Sequence, residues 1–192
     1  IGAEKPEDYG YYFWWGDTVG YKLENDNWVA SDGSNSNFSF DYETTPTYNK
    51  SISTLQSEGW IVSKDGRYVL APEHDAAQVQ WGGDWRMPTV QEFGDLNSKC
   101  EWTWSTMNGV NGYLVRGRGS YASNSIFLPC AGVGSGASLG SAGSVGYYWS
   151  SVPRLDDDLA RALYFDSSSH STDYGYRRSY GRSARPLQRF TK

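Results

Sequence analysis

The sequence predicts one α+β domain: two short helices packed on a small twisted antiparallel sheet, with long irregular loops. Three observations point there. Two helix signals lie close together in the middle of the chain, several short strand-like runs follow them, and no linker-like stretch divides the 192 residues. Apolar residues are a modest 38%, but 9 Trp and 15 Tyr bring the aromatics to 16%, so the core is expected to be built from rings whose polar tips need partners.

Tyr9-Gly10-Tyr11-Tyr12-Phe13-Trp14-Trp15 reads as a buried strand that ends in a turn at Gly16-Asp17. Residues 20–58 are rich in Asn, Asp, Ser and Thr with weak periodicity, and predict a long, irregular surface excursion with short strands. Trp60-Ile61-Val62 and Tyr68-Val69-Leu70 flank Lys64-Asp65-Gly66-Arg67, the pattern of a β-hairpin. Pro72 opens a helix with Glu73 and Asp75 in its first turn, where carboxylates favour the positive end of the dipole. Gly82-Gly83 closes it. The second helix starts at a capping box, Thr89-Val90-Gln91-Glu92, and turns Phe93 and Leu96 inward.

The rest reads as β. Trp102 and Trp104 alternate with polar residues, Asn108 to Gly112 is turn chemistry, and Tyr113–Val115 and Ser125–Leu128 return as strands. Residues 132–146, almost wholly Gly, Ser, Ala and Val, read as a flexible loop before a buried strand at Tyr147-Tyr148-Trp149-Ser150. The expected core includes Trp81, Trp85, Leu96, Trp102, Phe127, Trp149 and Phe165, with Arg185 in a structural ion pair or on carbonyls.

Composition narrows the function classes. A net charge of −5 argues against a global attraction to nucleic acid or an anionic membrane, and no apolar run is long enough to span a bilayer. The chain opens in polar domain sequence at Ile1-Gly2-Ala3 and reads as a mature or trimmed fragment. Cys100 and Cys130 are too few for a disulfide framework; two thiols are favoured over one bridge. The glycine-rich stretch lacks the Gly-Lys-Ser/Thr ending of a phosphate loop. His74 reads as solvated, and neither it nor His170 has metal-ligand spacing, so no metal and no cofactor are expected. Nothing resembles a nucleophile elbow. Asp156-Asp157-Asp158 reads as an exposed acidic loop, because consecutive carboxylates on extended chain point in alternate directions.

The C-terminal quarter is the most unusual part. From Ser150 to Lys192 there is no Asn and no Glu, and Ser, Tyr, Asp, Arg and Gly dominate. This is the palette of binding loops: Tyr gives contact area for little rotamer entropy, Ser and Gly adapt, and Arg makes forked or stacked contacts. Trp149, Ala160, Leu163 and Phe165 read as inward anchors, while alternation places Asp158, Arg161, Tyr164 and Asp166 outward. An apolar skeleton carrying varied outward side chains is a display surface.

Several spaced motifs resemble one family. Tyr9 to Asp17 looks like its early aromatic signature, and Asp75-Ala76-Ala77, Trp81-Gly82-Gly83-Asp84-Trp85-Arg86-Met87-Pro88-Thr89 and Glu92 look like its centre. Phe127-Leu128-Pro129, Gly146-Tyr147-Tyr148-Trp149-Ser150-Ser151 and Gly181-Arg182-Ser183-Ala184-Arg185-Pro186 look like its end. The chain resembles bacterial surface domains of C-type-lectin-like fold, akin to the Fibrobacter paralogous-domain group, and the variable proteins of diversity-generating retroelements. The resemblance implies a non-enzymatic, monomeric, extracellular or cell-surface ligand-binding domain of bacterial or phage origin, taking a protein or glycan. By that reading the varied positions are Asp156, Asp157, Asp158, Arg161, Tyr164, Asp166, Ser168, His170, Asp173, Tyr174, Tyr176, Ser179, Tyr180 and Arg182. The chain lacks the Glu-Pro-Asn, Gln-Pro-Asp and Trp-Asn-Asp motifs of calcium-dependent lectins, and its cysteines lack the context of a formylglycine-generating enzyme. A structural or adhesin module of a cell surface or pilus is the first alternative, and an enzyme of the formylglycine-generating type the second.

Overall fold

The computed structural model describes residues 1–155 and 158–188. In chain order the elements are β1 (Tyr12–Phe13), β2 (Tyr21–Glu24), β3 (Asn27–Ala30), α1 (Ile52–Ser57), β4 (Ile61–Lys64) and β5 (Arg67–Leu70). Next come α2 (Ala76–Trp81), β6 (Trp85–Arg86), α3 (Val90–Lys99), β7 (Glu101–Met107), β8 (Val110–Arg116) and β9 (Ser125–Pro129). The last are β10 (Val133–Ser135), β11 (Ser138–Gly140), β12 (Val145–Pro153), β13 (Leu159–Asp166), β14 (His170–Ser171), β15 (Gly175–Arg177), β16 (Arg182–Ser183) and β17 (Leu187–Gln188). The class is α+β, with three short α-helices among the described residues.

The main sheet runs β14-β13-β12-β16-β1-β2-β3, with β15 also on β13. It is antiparallel except where β12 meets β16, so the expectation of a purely antiparallel sheet is corrected at that contact. β1 pairs with β16, which ties the start of the domain to its end. β7, β8 and β9 form a second sheet; the hairpins β4–β5 and β10–β11 and the long-range pair β6–β17 complete the set.

β13 has core on both sides, and this decides how its side chains are used. Ala160 and Ala162 pack with Trp149, Trp15 and Ile61 in one cluster. Leu163 and Phe165 pack with Phe93, Tyr113 and Tyr148 in another, under α3 and the second sheet. The four expected anchors are therefore all buried. Gly146 opposes Phe165 on β12 because a Cβ there would stand 2.1 Å from the ring.

The capping box forms as predicted: Thr89 Oγ1 accepts from Glu92 N and Thr89 N donates to the Glu92 carboxylate. The hairpin β4–β5 also forms, with Asp65 and Gly66 at positive φ as its tight turn requires. The first helix differs. Pro72–His74 is a single 3-10 turn, and Asp75 breaks it to cap α2.

Four other expectations are corrected. Residues 20–58 are no mere surface excursion: Tyr21, Trp28, Phe38 and Phe40 form a third buried cluster, and α1 seats Leu55 in the core. Residues 132–146 are no free loop, since β10 and β11 pair and a Cβ on Gly134 would lie 2.7 Å from Phe40. Glycine serves close approach there, which composition cannot distinguish from flexibility. Trp81 is about half exposed: α2 ends on it, and the ring of Trp85 meets it edge to face. His74 is not solvated but stacks on Trp60 at 3.9 Å, and burial lowers its pKa.

Candidate functional site

The predicted residues divide between two faces, because β13 alternates. Tyr164 and Asp166 share the face of Ala160 and Ala162, and Arg161 takes the opposite one. On the first face Tyr147 of β12 lies across from Tyr164, with ring centroids 5.3 Å apart. Tyr176 of β15, opposite Ala160, adds its ring at 5.2 Å from Tyr147. Tyr174, 60% exposed, is near enough to Tyr164 and Tyr176 to act on the ionisation of both.

Beneath these rings lies Arg182. Its guanidinium carbon is 4.4 Å from the ring centre of Trp149, 4.7 Å from Tyr176, 5.1 Å from Tyr147 and 5.6 Å from Tyr180. Four rings thus surround one cation at cation–π distance. Its NH1 donates to Arg177 O at 3.2 Å, while Nε is buried with no hydrogen-bond partner. Among the described residues no carboxylate forms an ion pair with it. Burial without a counter-charge brings its pKa down to about 9.

Arg182 and Ser179 were expected in solvent and are each only 3% exposed. The reason is backbone placement. Trp15 N donates to Arg178 O, and Gly134 and Gly181 exchange two backbone hydrogen bonds, so residues 178–183 are laid across the main sheet and sealed in. Tyr164, Tyr176 and Tyr180 are half-buried rather than free.

Asp166 organises the rim. Its Oδ2 accepts from Tyr164 Oη at 2.6 Å, and Oδ1 accepts from Ser168 N, Ser168 Oγ and Ser169 N. These bonds, the tyrosine's first, hold its carboxyl well below the usual range. Asp158 is half-buried at the start of β13, where its carbonyl accepts from Arg178 N. Asp156 and Asp157 lie outside the described residues.

The remaining predicted residues do not join this face. Arg161 NH1 donates to Asp173 O at 2.6 Å, and both line a hollow beside α3. His170 stacks on Trp102 at 4.5 Å and bonds Asn97 of α3; burial lowers its pKa, so the ring is neutral at pH 7. In sequence Tyr147 falls in a buried strand and in the closing motif but not among the expected site residues; its alternation with Tyr148 is the available signal. Arg185 makes no side-chain hydrogen bond or ion pair among the described residues, which corrects its expected role.

A groove of about 280 Å³ between the β4–β5 hairpin and α3 is lined by Lys64, Arg67, Asp75, Arg86 and Glu92. Its inner charges are engaged in structure: Arg86 bonds Glu92 bidentately, and Asp75 caps α2 and takes Met87 N. No three His, Cys, Asp or Glu among the described residues are placed to hold a metal ion. No helix among them is long and apolar enough to cross a membrane. Both cysteines are free; burial pushes the Cys130 thiol up to about 12.

No family model matches the chain, and neither a curated protein nor a solved structure was found that matches it.

Proposed function

We propose that the chain is a ligand-binding display domain of C-type-lectin-like type, carrying a tyrosine-rich face for recognition and no catalytic centre. The single observation that carries this reading is the gathering of Tyr147, Tyr176 and Tyr180 around Arg182, with Tyr164 against Tyr147 and Tyr174 beside Tyr164 and Tyr176. Tyr147, Tyr164 and Tyr176 stand on β12, β13 and β15, and β12 and β13 are locked in core, so these three rings are held in place before a ligand arrives. Preorganisation matters because ordering each loose side chain on binding costs roughly 0.5–1.5 kcal/mol. Buried Tyr and Arg are also the residue types that dominate interface energetics.

The fold assignment draws its support from the spaced motifs and from an α+β plan of short helices and short, mainly antiparallel strands. A non-enzymatic role is supported by the raised Cys130 thiol, the reverse of what a nucleophilic thiolate needs. It is supported also by the neutral, stacked state of both histidines. We further propose that the face is diversified by a retroelement and displayed at a cell or particle surface, on the palette of the C-terminal quarter. The display set is smaller than the sequence implies: Arg161, His170 and Asp173 belong to the α3 side, and Ser179 to the interior.

Sequencing the locus from several isolates tests diversification. Substitutions crowded into residues 152–182, with the rest nearly constant, are expected; evenly scattered changes overturn it. Replacing Tyr174, Tyr176 and Tyr180 together by Ala tests the face. Loss of binding to cells or library ligands is expected, and unchanged binding favours a structural or adhesin module with a merely solvated surface.

A further inference from the structure

Arg182 poses an energetic problem. A buried cation without a carboxylate is expensive, and aromatic faces offset only part of the lost hydration. Nothing else among the described residues compensates it, since Nε is sealed without a partner and NH1 meets one carbonyl. The rings above it present a second anomaly. The hydroxyls of Tyr147, Tyr174, Tyr176 and Tyr180 make no hydrogen bond within the described residues, and none is a sealed, unpartnered atom, so they open to solvent. Burial raises the pKa of Tyr147 and Tyr176, which keeps them as O–H donors at neutral pH. Asp166, the carboxylate bonded to Tyr164, is already saturated by Tyr164 and the Ser168–Ser169 turn. Among the described residues this part of the surface is therefore a set of neutral donors over a fixed positive charge, with Asp166 already engaged.

We propose that this face selects glycans bearing a carboxylate: the tyrosine hydroxyls donate to the carboxylate and the caged Arg182 supplies its counter-charge through the rings. A uronate or sialate residue fits best. Its pyranose offers an apolar C–H face to the open ring of Tyr174, its other hydroxyls accept and donate to the remaining phenols, and its carboxylate is held on the same ring. Tyr and Arg also serve protein interfaces; what favours an acidic sugar is the pairing of several open donor hydroxyls with one caged cation, which a polyol bearing a carboxylate can satisfy together. The inference rests on the display reading above.

The test uses the whole domain on a panel of uronate- and sialate-bearing oligosaccharides, each paired with its methyl ester, beside a polyglutamate peptide. Acidic sugars should bind at least about tenfold more tightly than their esters, the factor expected for one hydrogen bond to a charged group. Single variants Tyr147→Phe, Tyr176→Phe and Tyr180→Phe keep the cage rings and should each lose about tenfold for the acids, with unchanged unfolding midpoints. Equal binding of acid and ester, failure of every acidic sugar to bind, or Phe variants that bind like the parent overturns the inference. Polyglutamate bound as tightly, with the same tyrosine dependence, overturns the glycan assignment. If esters or library peptides bind and Tyr174→Ala/Tyr176→Ala abolishes it, the display reading stands while the acid selectivity falls. If no ligand depends on these tyrosines, both fall.

Discussion

Asp75 offers a worked case of how one side chain fixes the centre of this fold. Its carboxylate is 5% exposed, and Oδ1 accepts from Ala77 N at 3.0 Å, Gln78 N at 3.2 Å and Met87 N at 3.0 Å, with Oδ2 2.9 Å from Met87 N. It therefore caps α2 and also pins the backbone of buried Met87, between β6 and α3, twelve residues on. Asp75→Ala removes a cap worth about 1–2 kcal/mol and strands the Met87 amide at about 1–3 kcal/mol. The expected total is roughly 2–5 kcal/mol, or about 4–20 °C in Tm for a chain of this size. Asp75→Asn keeps the Oδ1 acceptor and should lose distinctly less. Urea unfolding monitored by Trp fluorescence reads both. An Ala variant within about 1 kcal/mol of the parent refutes the reasoning, because a sealed amide cannot lose its only acceptors at so small a penalty.

Other perturbations follow from the same reading. Arg178 is fully buried and donates to Leu159 O, Thr47 O and Lys50 O, so Arg178→Ala should lose about 3–5 kcal/mol, with Lys recovering little because it lacks the fork; near-parental urea midpoints contradict this. Gly146→Ala drives a methyl into the Phe165 ring and should destabilise by about 1–3 kcal/mol, read by calorimetry. Burial raises the Asp17 carboxyl from 3.8 to about 6, so the native state binds more protons than the unfolded chain between those values. That contribution is present below about pH 3.8 and lost as pH rises through about 6; Asp17→Asn should flatten the descent across this window, and an identical pH profile for both proteins argues against it.

Local signals carried the parts of the fold that depend on neighbours in sequence. Thr89 and Glu92 are three apart and cap each other. Asp65-Gly66 supplies the positive φ of a hairpin turn, and the apolar residues Ala160, Leu163 and Phe165 of β13 are buried as their type predicts. What escaped was set by contacts distant in the chain. Trp28, Phe38 and Phe40 lie among polar residues, and only their packing with one another and with Gly134 makes that segment core. The same limit divided the predicted site. The tyrosines are legible as binding residues, but β13 is covered on both sides, so Arg161, read as outward with Tyr164 and Asp166, serves the α3 side instead. Arg182 looked like one more variable position; its four-ring cage joins residues from β12, β15 and the turn before β16, which no local pattern reveals.

The most direct test is the tyrosine-ring NMR spectrum of the selectively labelled domain, recorded as the tightest-binding oligosaccharide or library peptide is added. The account predicts that the resonances of Tyr147, Tyr174, Tyr176 and Tyr180 move together while Tyr12 and Tyr113 stay fixed. Shifts centred on the α3 hollow or the β4–β5 groove, with the cage tyrosines silent, contradict it.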